Sequence, residues 1–180
     1  MKKSDIVYID FKNISLIGFM GSGKSTIGEI LAGRLGFIFI DLDRIIELSE
    51  EREIKDIFKR DGEKYFRELE TKVTGKIYKN KKCVFACGGG VVKRKENMHV
   101  IKNNSIVIYL NITVRNALDR LRDDKNRPLI DVENKKEVIE KMIKERDILY
   151  RKYADIVVNN DKNDPGQTSN EIITRLKVQK

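Results

Sequence analysis

Residues 18–25 read GFMGSGKS, directly after the apolar run ISLI at 14–17 and directly before TIGEILAGRL at 26–35. The spacing Gly-x-x-x-x-Gly-Lys-Ser, set between a strand-like run and a helix-like one, marks a loop that cradles phosphates. Gly18, Gly21 and Gly23 let the backbone curl until successive N–H groups face inward, and the following helix adds the positive end of its dipole. Lys24 can reach the β- and γ-phosphates, and the Ser25 hydroxyl is a hard oxygen donor for Mg²⁺ beside them. A glycine-rich turn that only caps a helix is the alternative, and the flanking strand and helix weigh against it.

Outward from this loop, short apolar runs rich in Ile, Val and Phe recur at 37–40 (FIFI), 83–86 (CVFA), 106–110 (IVIYL) and 155–158 (DIVV). With 14–17 they make five buried strands. Helical periodicity falls between them at 24–35, at 53–78 with a break near Asp61 and Gly62, at 93–101, 114–121 and 137–150, and again after Pro165. Strands apolar on both faces and separated by helices form a parallel sheet covered on both sides. The expected fold is therefore a three-layer α/β P-loop NTPase. A chain of 180 residues builds one sizeable core but not two ordinary domains, so a single domain over 1–180 is expected. The polar, helix-breaking stretch 122–134 reads as an exposed insert.

Composition removes several classes. With 40% hydrophobic and 36% charged residues, and no apolar run near the roughly 20 residues of a membrane helix, a soluble cytoplasmic protein without a membrane partner is expected. The basic N-terminus lacks a long apolar region and does not read as a secretion signal. Cys83 and Cys87 share one strand-like run and His99 is the only histidine, too few for a disulfide framework or a zinc site. The formal charge of +9 attracts anions, but basic residues are interspersed with acids. Aromatic residues make up 7% and do not interleave with the basic ones as in a base-stacking platform. No nucleic-acid partner is expected, and without a heptad seam a monomer is.

The second strand ends in FIDLD (39–43). Alternation along an extended chain puts Asp41 and Asp43 on one side, facing the cradle, because parallel sheets bind ligands at the carboxyl ends of their strands. One acid can support Mg²⁺ through water while the other orients or deprotonates an acceptor hydroxyl; alternatively, the pair only caps the helix that follows. The third strand ends in CGGGV (87–91), where three glycines suit a main chain that a ligand must approach closely, with a flexible turn as the alternative. Cys87 has no histidine near it in sequence and reads as a small buried thiol rather than a nucleophile. An aspartate for a hydroxyl together with arginines for an anion suits a small hydroxy acid, since guanidinium binds carboxylate through two parallel bonds. That reasoning alone does not single out Arg67 and Arg146 from the other arginines.

Taken together, GxxGxGKST (18–26), DxD (41–43), FRxxE (66–70), GGG (88–90), RPL (127–129) and ERxxLY (145–150), in this order over nearly the whole chain, resemble the shikimate kinases of bacteria and plants. The resemblance implies transfer of the ATP γ-phosphate to the 3-hydroxyl of shikimate, with Mg²⁺ as cofactor, on the route to chorismate and the aromatic amino acids. It also implies a nucleoside monophosphate kinase-like fold with five parallel strands in the order 2-3-1-4-5. A substrate-binding region over about 42–80 and a lid over about 122–134 follow from the same likeness. Carried over by position, Asp43 holds and helps deprotonate the hydroxyl, Arg67 and Arg146 grip the carboxylate, and Gly89 gives a main-chain contact. Gly21, Ser22, Gly23, Lys24, Ser25 and Thr26 bind the nucleotide phosphates, Lys24 also stabilising the transferred group. Ser25 ligates Mg²⁺, and Asp41 holds its water shell. Arg127 is implied as the lid arginine that closes on the phosphates, and Arg120 and Pro165 as adenine contacts. The chain departs from the family pattern at Cys87, where Ser or Thr is common, and at Ile148, where Pro is. Kinases of gluconate or nucleotides share the phosphate loop but are not expected to combine paired Asp41 and Asp43 with Phe66, Arg67 and the glycine run. A P-loop module that holds nucleic acid on its basic surface is the alternative from another class.

Overall fold

A computed structural model of the protein describes residues 13–79, 81–122, 128–130, 132–161 and 164–178. Among them, β1 (Asn13–Ile17), β2 (Ile38–Asp41), β3 (Cys83–Ala86), β4 (Ile106–Asn111) and β5 (Ile156–Asn159) form one sheet in the order β2-β3-β1-β4-β5. Every neighbouring pair is parallel. The helices are α1 (Lys24–Leu35), α2 (Leu42–Glu50), α3 (Ile54–Ile77), α4 (Lys95–Asn104), α5 (Val114–Arg120), α6 (Lys135–Tyr153) and α7 (Pro165–Val178), with short 3-10 turns at Val91–Lys93 and Pro128–Ile130. The doubly covered parallel sheet and its strand order are those expected.

The period of two along each strand sorts the core into two layers. Ile14, Leu16, Val84, Ile108 and Leu110 pack with Ile27 and Leu31 of α1 and Ile172 and Leu176 of α7. Ile17, Phe85, Val107 and Tyr109 pack instead with Met98 and Ile101 of α4, Ala117 of α5, and Ile139 and Tyr150 of α6. Burying such a side chain contributes about 1.5–3 kcal/mol, so the two layers fix the sheet between its helices. All of β1 is buried, Ser15 included, and that hydroxyl is met by Tyr78 Oη and Ser105 Oγ, each at 2.7 Å.

The break near Asp61 and Gly62 is a bend inside α3, where Gly62 takes φ 81° and ψ 172°. Arg52 ties the bend to the end of α2, donating to Asp61 Oδ2 at 2.7 Å and Glu50 Oε2 at 2.8 Å. A separate small core of Ile46, Ile57, Phe66, Leu69 and Val73 joins α2 to α3. Some boundaries differ from the sequence reading for local reasons. Residues 91–93 form a 3-10 turn, so α4 starts at Lys95. β5 starts at Ile156 because the Asp155 carboxylate accepts the Val107 N–H at 2.8 Å. Pro165 opens α7 rather than preceding it, a position where its missing N–H is not needed. Of the expected lid, 123–127 and 131 lie outside the described residues, Arg127 among them. The rest is not wholly exposed as expected, since Ile130 is buried in the main core.

Candidate active site

Two adjoining hollows sit beyond the carboxyl ends of β1, β2 and β3, and they share Met20, Ser25, Asp41, Asp43 and Gly89. The smaller, about 320 Å³, is lined by Gly21, Gly23, Lys24 and Thr26 and closed by Arg120, Asn160 and Pro165. The larger, about 610 Å³, is lined by Phe58, Arg67, the glycine turn 88–90, Leu129 and Arg146.

Lys24 opens α1, and its Nζ lies back over the loop, donating to Gly18 O at 3.0 Å and Phe19 O at 2.9 Å. Ser22 is buried inside the loop, its N–H donating to Phe19 O at 3.1 Å. The Ser25 hydroxyl donates to Asp41 Oδ2 at 2.6 Å.

Asp41 and Asp43 both reach the cleft, but not through strand alternation. β2 ends at Asp41, and Asp43 lies in the first turn of α2. Asp41 is the N-cap of that helix: Oδ1 accepts the N–H of Asp43 at 3.0 Å and of Arg44 at 3.4 Å. One carboxylate oxygen therefore caps the helix while the other faces Ser25, so capping does not exclude a second use. Among the described residues no three His, Cys, Asp or Glu gather into a metal cage. Ser25 Oγ and the Asp41 carboxylate are hard oxygen donors, a set that fits Mg²⁺ shared with phosphates and water.

Across the larger hollow, Arg67 on α3 is 7% exposed and fixed from two sides. Its Nη1 donates to Glu70 Oε1 and Oε2 at 3.1 and 3.0 Å, and its Nε donates to Glu63 Oε1 at 3.2 Å. Glu70 is 0% exposed, and burial pushes its carboxyl up to about 7 against the opposing pull of the Arg67 guanidinium. The glycine turn lets these groups approach. A Cβ on Gly90 would lie 2.4 Å from the Arg67 guanidinium, and one on Gly88 would lie 2.7 Å from Glu70 Oε1 and 2.9 Å from Asp43 Oδ1. The turn is thus closely packed, which sets aside the reading of it as merely flexible. Gly89 O accepts from Arg146 Nη1 at 3.3 Å and from the Tyr150 hydroxyl, one turn further along α6. Arg146 is 6% exposed, its guanidinium carbon 5.9 Å from the centre of the Phe19 ring. Cys87 is buried with Sγ 3.4 Å from Tyr78 Oη, and burial pushes its thiol up to about 12. A thiol protonated at neutral pH is not a nucleophile, as the sequence suggests.

Arg120 ends α5 and donates to Gly21 O at 3.0 Å and to Asn160 O at 2.7 Å. Sequence reasoning gave no role to Glu63, Glu70, Tyr150 or Asn160. The two glutamates had a signal, since acids four residues before and three after an arginine share its helix face. Asn160 had none, because its side-chain donor meets a carbonyl 138 residues away.

A glycine-rich phosphate loop opening α1 at the carboxyl edge of a five-stranded parallel sheet, with acids beside it, is the construction of a P-loop kinase. The gluconokinase of Sinorhizobium meliloti has the same fold, with a TM-score of 0.56 over 93% of this chain and 92% of that one; at 15% identity the likeness shows the fold alone. The sequence model described as Shikimate kinase matches residues 20–177, and the chain belongs to that family of phosphotransferases. It is similar to the shikimate kinase of Sulfurihydrogenibium sp. (strain YO3AOP1), 45% identical over 166 residues that cover 92% of this chain and 98% of that one. It is also similar to the solved shikimate kinase of Acinetobacter baumannii in complex with shikimate. That likeness has a TM-score of 0.93 at 36% identity and covers 96% of this chain and 97% of that one.

Proposed function

We propose that this protein transfers the γ-phosphate of ATP to the 3-hydroxyl of shikimate, as a Mg²⁺-dependent kinase on the route to the aromatic amino acids. One observation carries the reading: two buried guanidinium groups, Arg67 and Arg146, gather with Asp43 around the glycine turn 88–90 in a hollow that shares its rim with the phosphate loop.

Phosphoryl transfer asks little covalent work of a protein; it must align hydroxyl and γ-phosphate and neutralise the charge that shifts between them. In this reading Arg67 and Arg146 grip the acceptor's carboxylate with forked donors, and Gly89 adds a main-chain contact. That grip sets the hydroxyl against Asp43, which orients it and takes its proton. Lys24 leaves the Gly18 and Phe19 carbonyls for the phosphates and stabilises the group in transit. The backbone from Gly21 to Thr26 holds the phosphates, and Arg120 and Pro165 flank the adenine. Ser25 and Asp41 hold Mg²⁺ and its water, and the ion, when bound, neutralises phosphate charge. Arg127 and the 122–134 segment close over the site, shutting out water as a competing acceptor. The enzyme works as a single-domain cytoplasmic monomer, with residues of about 42–80 serving the acceptor.

The test is ADP release from Mg·ATP with and without shikimate, with gluconate and nucleoside monophosphates as parallel acceptors. Stimulation by shikimate alone is expected. Stimulation by gluconate or a nucleotide instead would reassign the acceptor.

A further inference from the structure

Asn160, in the connection between β5 and α7, is 4% exposed and bonds to four separate parts of the nucleotide side. Its N–H donates to Asn111 O at the end of β4 at 2.8 Å, and its carbonyl accepts from Arg120 Nη2 at 2.7 Å. Its side chain reaches the other two: Nδ2 donates to Ser22 O in the phosphate loop at 2.8 Å, and Oδ1 accepts from Thr168 Oγ1 of α7 at 2.9 Å. A carbonyl can only accept, so the Ser22 contact fixes which way the amide points.

The Ser22 carbonyl and the Gly23 N–H belong to one planar trans peptide and point in opposite directions. An anchor on the carbonyl therefore sets the direction of the Gly23 N–H, one of the donors of the phosphate cradle. The anchor is close: a Cβ on Gly23, whose φ is +85°, would lie 3.0 Å from Asn160 Nδ2. Arg120 holds the preceding carbonyl, Gly21 O, in the same manner at 3.0 Å.

From this we infer that Asn160 is a positioning residue for the phosphate loop, holding the Ser22–Gly23 peptide in its anion-accepting orientation through the amide bond to Ser22 O. This rests on reading the smaller hollow as the ATP site. Thr168 orients the amide from behind but does not touch the loop through it, so the two contacts can be separated by mutation.

Asn160→Leu keeps the bulk and removes the amide, Asn160→Ala repeats the removal with less bulk, and Thr168→Val removes the hydroxyl that meets Asn160 Oδ1 at 2.9 Å and Asp164 O at 3.0 Å while leaving the bond to Ser22 O in place. For each, ADP affinity is read by calorimetry, KM for ATP and for shikimate by steady-state rates, and folding by thermal melts. Loss of one buried hydrogen bond that orients the loop should weaken ADP and raise KM for ATP about tenfold in both Asn160 variants, with KM for shikimate and the ADP affinity of Thr168→Val within about twofold of wild type. Unchanged ADP affinity in a folded Asn160 variant would overturn the assignment. Equal losses for ADP and shikimate would overturn it too, as would equal losses in Thr168→Val, since either marks a residue that only supports the fold. So would the failure of both Asn160 variants to fold while Thr168→Val folds. ADP binding needs no acceptor, so these outcomes are distinct from a failure of the shikimate reading, which would show as wild-type protein that binds ADP without turning over shikimate.

Discussion

The phosphate loop grows out of the central strand of the sheet and into α1, both set in the main core, whereas on the proposed acceptor side Arg67 stands on α3, which shares a small core of its own with α2. The carbonyls of Gly21 and Ser22 are held in place by Arg120 and Asn160. On that side, Arg67 is held by the carboxyl groups of Glu63 and the buried Glu70. The loop is therefore held by bonds to its main chain, while Arg67 is held by titratable side chains in poorly solvated surroundings. Damage to the first should appear in nucleotide binding, and damage to the second in acceptor binding and pH dependence.

The largest break in that comparison should come where the sides meet. Asp43→Asn removes the group proposed to take the hydroxyl proton and should lower kcat about 10²–10⁴-fold. KM for ATP should hardly move; a large rise in it would place Asp43 on the nucleotide side. Next in size, Arg127→Ala should lower turnover by about 10²–10³-fold through lost stabilisation of transferred charge. Shikimate affinity, measured by titration, should stay close to wild type, and a matching loss there would contradict the lid role.

A smaller effect comes from Glu70. In the unfolded chain it ionises near its ordinary 4.5, while burial holds the folded group's proton up to about 7. Its stabilising contribution is thus fully present below pH 4.5 and is lost as pH rises toward 7. Thermal melts across that window should show wild type losing stability relative to Glu70→Gln as pH rises, and a constant difference would mean that Glu70 ionises alike in the folded and unfolded chain. The smallest effect concerns the separate core alone. Glu51 closes α2 in the left-handed region at φ 53° and ψ 31°, a conformation that costs a non-glycine residue about 1 kcal/mol or more. Glu51→Gly should raise the melting temperature by a few degrees and leave both KM values alone. A lower melting temperature would mean that the glutamate makes a compensating contact.

The sequence makes the nucleotide side legible and the acceptor side much less so, and the reason is physical. The phosphate loop, β1 and α1 are specified by residues adjacent in the chain, so glycine spacing and apolar periodicity suffice to place them. The strand order and the bend at Gly62 likewise follow from local signals and family likeness. Asp41 and Asp43 were expected on one side of a strand, but the chain turns helical one residue after Asp41, a boundary that alternation cannot detect. Arg67 and Arg146 carry no spacing of their own and were reached only through the family resemblance. What binds them into one site is the glycine turn, against which they pack from α3 and α6.

The most direct test of the central claim is to titrate shikimate and ADP separately into wild type and Arg67→Lys. Lysine keeps the charge and loses the fork. Shikimate affinity should fall by about tenfold or more, as expected when a bidentate charged contact is lost, while ADP affinity stays as in wild type. Parallel losses for both ligands, or unchanged shikimate affinity, would contradict the assignment of the larger hollow to the acceptor's carboxylate.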